Sequence, residues 1–244
     1  MNRGDRLDRR GELSPERWLA RFDDGPGPDE ADVKELLSLC GLATPASLVV
    51  RPGETAVPRF SGPYAVKVVS PRILHKTEAG ALRLNVAADR LRGVLAELAA
   101  AFPGESILVE EMVPDVETEM IAGATRDTDL GLAMAVGAGG VLAEVYRDVT
   151  FRLVPCSRDD IDRMLDELRL APLLSGYRGS TVDRDGLCEY LVAFADLVAR
   201  LGDRLVECDI NPLCYSAGRW LALDAKMVIR PPGSSAGTPD TRAG

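Results

Sequence analysis

The chain has 244 residues, 46% of them hydrophobic, and a formal net charge of −9. That is enough apolar material for one large domain or two small ones with a buried core, and it excludes a disordered chain. An acidic balance without any basic block excludes nucleic acid as the main partner, and no apolar run is long enough to cross a bilayer.

The start, Met1-Asn2-Arg3-Gly4-Asp5-Arg6, is charged and lacks the apolar segment of a secretory signal. Residues 1–27 are expected to form a flexible arm, with one short helix from Pro15 to Phe22 begun by Ser14. Asp29 caps a predicted helix that runs to Cys40 and stops at Gly41. Leu48 to Val50 and Tyr64 to Val69 read as strands, and Leu82 to Val86 alternates as a half-buried strand does. A helix over 89–102 ends before Pro103-Gly104, and Ile107 to Val109 is a short buried strand. Strands at 118–124, 132–136, 141–145 and 150–154 predict a mostly antiparallel sheet. Ser157 caps a helix through Leu168, and a longer helix spans 184–201 before Gly202. Residues 231–244 look like a disordered tail. This order predicts a mixed α/β chain with a smaller lobe over 28–105 and a larger one over 106–230, with a ligand cleft between them.

Five cysteines, Cys40, Cys156, Cys188, Cys208 and Cys214, form no Cys-x-x-Cys pair. An odd, scattered set argues against a disulfide framework or a zinc site and fits a reduced cytoplasmic setting.

The residues that point to chemistry begin with Lys67, inside the apolar run Tyr64-Ala65-Val66-Lys67-Val68-Val69. An ammonium there is costly unless an anion meets it. It either reaches a nucleotide phosphate or faces outward from an edge strand. His75 is the only histidine, followed by Lys76 and a loop containing Gly80. Neutral imidazole accepts a phosphoryl group or moves a proton near neutral pH, and it also serves as a hydrogen-bonded structural residue. Glu110, Glu111 and Val113 lie at the proposed lobe junction, where backbone groups meet an adenine edge. Glu117 and Glu119 share one face of a strand, and Arg126 either holds a phosphate or pairs with Asp127. Gly137-Ala138-Gly139-Gly140 admits a close backbone approach, though hairpin loops look the same. The turn Gly176-Tyr177-Arg178-Gly179 suits a partner contact or a structural turn equally. Near the end, Glu207-Cys208-Asp209-Ile210-Asn211-Pro212-Leu213 and Leu223-Asp224-Ala225-Lys226 occupy two predicted strands. If these pair as a hairpin, Asn211 and Asp224 converge, with Glu207 and Asp209 as further oxygen donors. Such a set suits Mg²⁺, which takes the rest of its shell from water and nucleotide phosphate.

Together, these motifs in order resemble the ATP-grasp subunit of ADP-forming acyl-CoA synthetases. That group includes acetate–CoA ligases and is related to the β subunit of succinyl-CoA synthetase. The resemblance covers about residues 30–230. It implies an ATP-grasp fold with ATP or ADP between two lobes and Mg²⁺ beside it. The implied reaction is acyl-CoA + ADP + phosphate ⇌ carboxylate + CoA + ATP, through acyl phosphate and phosphohistidine. By resemblance, Lys67, Gly80, Glu110, Glu111, Val113, Glu119 and Arg126 contact nucleotide, and Asn211 and Asp224 hold the metal. His75, with Lys76 beside it, takes the phosphoryl group from a partner's phosphohistidine and hands it to ADP. The CoA-binding module is expected on a separate α-type subunit. The segment 51–63 replaces a helix expected before the Lys67 strand, so the small lobe is shortened. Two alternatives remain open: a stand-alone ATP-grasp carboxylate ligase and a non-catalytic nucleotide-binding regulatory subunit.

Overall fold

The computed structural model describes residues 14–55, 57–70, 79–140 and 147–233. Two antiparallel sheets organise these residues. The smaller has the order β1-β4-β2-β3, made of β1 (Ser47–Val50), β2 (Tyr64–Val69), β3 (Leu82–Val86) and β4 (Ser106–Glu111). The larger has the order β10-β8-β5-β6-β7, made of β5 (Thr118–Asp127), β6 (Gly131–Ala138), β7 (Val149–Leu153), β8 (Leu205–Ser216) and β10 (Ala225–Ile229). A further strand, β9 (Arg219–Ala222), also pairs with β8.

Each sheet has its own core. Val66, Val68, Ile107 and Val109 point to one face of the small sheet, where Leu91 and Leu98 of helix α3 (Leu91–Ala101) cover them. The alternate residues Lys67, Leu108 and Glu110 therefore point to the opposite face. In the large sheet, Met120, Ala122, Met134, Cys208 and Ile210 are fully buried. They share a cluster with the apolar stripe of a long helix, including Leu187, Leu191, Phe194 and Val198, at the spacing of one helical face.

Helix ends follow their capping residues. Around α1 (Pro15–Leu19) and α2 (Glu30–Leu39), Ser14 and Asp29 supply the N-caps. Ser157 and Asp160 form a reciprocal capping box at α4 (Arg158–Glu167). After the short α5 (Ala171–Leu174), Asp183 caps the long α6 (Arg184–Leu201). Ser157→Ala is expected to cost about 1 kcal/mol, read as a lowered melting temperature. Among the described residues no helix is long and apolar enough to cross a membrane.

Two expected boundaries differ. Trp18 is fully buried, and Val33, Leu36, Leu37 and Leu42 join the core of the large sheet. Residues 14–42 are thus neither a loose arm nor part of the small lobe: their apolar stripe finds its cover on the larger sheet. The boundary expected after residue 105 falls after β4 instead, because β4 pairs with both β1 and β2. The strand expected at 141–145 lies outside the described residues.

Candidate active site

Lys67 sits on β2, an inner strand of the small sheet, with only 7% of its surface exposed. The outward-facing alternative is thereby excluded, and anions do meet the ammonium. It lies 2.8 Å from Glu30 Oε1 and 2.8 Å from Glu110 Oε2, and donates to the Leu223 carbonyl at 2.6 Å. Lys34 of α2 joins the cluster, at 3.0 Å from Glu30, 2.6 Å from Glu110 and 2.6 Å from the Leu223 carbonyl. Burial works against charge on Lys67, but Glu30, Glu110 and Asp224 outweigh it and hold the ammonium well above the ordinary lysine value. Burial and the charge of Lys67 pull Lys34 below its ordinary value. One buried knot therefore ties α2, the small sheet and the β9–β10 connection of the large sheet, with Asp224 next in the chain.

Asn211 and Asp224 are neighbours through their main chains: the Asn211 backbone N–H donates to the Asp224 backbone carbonyl at 3.1 Å. The arrangement is not a simple hairpin. The turn at Ala217 and Gly218, both at positive φ, leads into β9, and the chain then continues as β10 along the same edge of β8. Asn211 and Asp224 meet where that edge changes partner. Cys208 and Ile210 enter the core, so Glu207, Asp209 and Asn211 share the opposite, open face of β8. Asp209 lies over Gly123 of β5, and Lys226 stands across from Asp209.

The donor set fits Mg²⁺. An amide oxygen and carboxylates are hard ligands, and Mg²⁺ needs only one or two of the latter beside water and phosphate. Among the described residues no group of three or more His, Cys, Asp or Glu side chains could hold a metal ion by itself. Burial, then Glu207 and Asp224, push the Asp209 carboxyl above its ordinary value, against the pull of Lys226. A proton is thus held more tightly in the folded chain than in the unfolded one. The stability from that proton is full at acid pH and is lost as pH rises through the raised value. In EDTA at pH 7, Asp209→Asn should melt above wild type, and the gap should close at acid pH, where the Asp209 carboxyl is protonated.

Glu119 occupies the open face of β5, and the glycine loop packs against it. A Cβ at Gly140 would come within 2.7 Å of its carboxylate, and one at Gly139 within 2.8 Å of its backbone. Gly139 is required by close approach to the β5 backbone, and Gly140 by its φ of 65. Glu111 and Val113 lie half-buried in the segment that crosses from β4 to β5, where the Glu111 amide donates to the Ala46 carbonyl at 2.8 Å. Glu117 accepts from the Thr181 hydroxyl at 2.6 Å, which ties the crossing segment to the turn bearing Arg178. Arg178 is at φ 55, its guanidinium 5.6 Å from the exposed Tyr177 ring. Gly80 is at φ 66 where the chain re-enters β3, and its carbonyl accepts from Arg83.

Arg126 does not join the site. It lies seven residues beyond Glu119 on β5, roughly 23 Å along the strand. Its guanidinium donates to the Leu205 and Gly202 carbonyls at 3.0 and 2.6 Å, anchoring the turn after α6. His75 and Lys76 lie outside the described residues. Sequence reasoning missed Glu30 and Lys34, although a Glu–Lys pair at i,i+4 within the buried stripe 30, 33, 34, 37 was a readable signal.

Comparison with known proteins identifies the family. The ATP-grasp domain family matches residues 27–229. The subunit beta of acetate–CoA ligase [ADP-forming] I from Pyrococcus furiosus is 32% identical over 213 residues, 82% of this chain and 90% of that protein. The corresponding subunit beta of ligase II from the same organism is 30% identical, over 82% of this chain and 91% of that protein. The acetyl-coenzyme A synthetase 1 of Ca. Korarchaeum cryptofilum was solved with coenzyme A and Mg-AMPPCP. It superposes at a TM-score of 0.74 and 25% identity, covering 89% of this chain and 100% of that one. The chain belongs to the ATP-grasp family, in the branch that includes the beta subunits of ADP-forming acetate–CoA ligases.

Proposed function

We propose that the chain is the nucleotide-binding subunit of an ADP-forming acyl-CoA synthetase and works with a separate CoA-binding α-type subunit. The observation that carries this reading is the meeting of Lys67, Glu110 and the Leu223–Asp224 connection in one buried knot. That knot lies beside the open sheet face that bears Asp209, Asn211 and Glu119, in a chain that covers 90% of a relative named as a beta subunit.

Each residue then has a role. The backbone of 111–113 meets the adenine edge, and Glu119 the ribose or phosphate side. Lys67 exchanges its carboxylate partners for a nucleotide phosphate, and the Gly80 loop supplies backbone amides. Asn211 and Asp224 would hold Mg²⁺, which when bound supplies charge neutralisation for phosphoryl transfer. His75 Nε2 or Nδ1 takes the phosphoryl group from the partner's phosphohistidine, freeing that imidazole. It then passes the group to the terminal phosphate oxygen of ADP, giving ATP and neutral His75. Five free thiols suit a reducing cytoplasm as the place of action.

The test mixes the purified chain with a candidate α-type subunit, acetyl-CoA, ADP, phosphate and Mg²⁺, and measures ATP by luminescence. ATP is expected only when both subunits are present. Nucleotide binding without ATP formation in that mixture would overturn the catalytic reading in favour of a regulatory subunit.

A further inference from the structure

Lys34 lies on α2, outside both sheets, yet it meets three acceptors around one nitrogen: Glu30, Glu110 and the Leu223 carbonyl. Lys67 is held by the same three groups. An ammonium has three N–H donors, so both lysines are saturated, and the two cations face the two carboxylates they touch. The two are not equivalent. Lys67 stands two residues from the end of β2, in the electrostatic field of Asp224. Lys34 projects from a helix whose other contacts are with the core of the large sheet. If Lys67 turns to a phosphate, the Leu223 carbonyl loses one of its two lysine donors and the carboxylates lose one of two counter-charges. Lys34 is the group that remains.

We propose that Lys34 is a positioning residue: it holds the Leu223 carbonyl, and with it the backbone presenting Asp224 beside Asn211, so that the metal site keeps its shape when Lys67 leaves for the nucleotide. This rests on the reading of Asn211 and Asp224 as metal ligands. The two lysines are thus a fixed and a mobile member of one cluster.

The test is AMPPCP binding to the full chain by calorimetry, across a Mg²⁺ series and in EDTA. Lys34→Arg keeps the charge, but a planar guanidinium cannot aim three donors at acceptors grouped around a single point. Lys34→Gln removes the charge. In either variant the Mg²⁺ concentration for half-maximal binding is expected to rise about tenfold, while binding in EDTA is unchanged. Unchanged Mg²⁺ dependence in a folded variant overturns the proposal. So does equal weakening with and without Mg²⁺, which is what general damage gives, or failure of both variants to fold, which makes Lys34 structural only. Absence of any Mg²⁺-dependent binding by the wild-type chain would instead strike the site reading itself.

Discussion

Replacing His75 with alanine is expected to reduce phosphoryl transfer by a factor of at least about 10⁴, the scale of losing a nucleophile. The chain between Ser70 and Ala79 carries this imidazole, and both ends are anchored: Ser70 follows β2 directly, and the Val68 amide donates to the Ala81 carbonyl at 2.8 Å. The measurement is incorporation of an acid-labile, base-stable label from γ-³²P-labelled ATP in the presence of Mg²⁺ and the α-type subunit. Equal labelling of wild type and His75→Ala would refute the relay, whatever the nucleotide affinity.

Lys67→Met carries the largest expected effect on stability. It leaves Glu30 and Glu110, each with a side chain no more than 3% exposed, sharing a single ammonium. Removing one partner from a buried ionic cluster costs about 3–5 kcal/mol, because the orphaned charge stays desolvated. For a chain of this length that lowers the melting temperature on the order of 10 °C. Adding Glu30→Gln to Lys67→Met restores charge balance and should recover part of the loss, since the two residues are in contact and their effects are not additive. If Lys67 is the phosphate ligand proposed above, nucleotide affinity should not recover. A melting temperature close to wild type in the single variant would mean that the cluster does not hold the lobes together.

Much of this was legible in the sequence because local signals and tertiary demands agree. Ser14, Asp29 and Ser157 each cap a helix with a side-chain acceptor, and the apolar spacing of 184–201 gives that helix its extent. The pairing of the two C-terminal segments was readable as adjacent strands, but Asn211 lies within β8 and Asp224 in the connection from β9 to β10. What escaped depends on which surfaces cover which. Trp18 and the stripe of α2 look like an arm and a first helix of the small lobe until the large sheet is seen to bury them. Arg126 reads as a phosphate ligand by its charge, but the turn at Gly202 and Leu205 supplies carbonyls that claim it. The partners of Lys67 lie 37 and 43 residues away in sequence, at Glu30 and Glu110. Charge alone says that an anion is needed and does not say which one.

The most direct measurement is a crystal structure of the chain with Mg²⁺ and AMPPCP. The phosphates are expected over the open face of the large sheet, within reach of Lys67, with the metal bound by the side chains of Asn211 and Asp224. Nucleotide bound elsewhere, or a metal held without either side chain, would contradict the account.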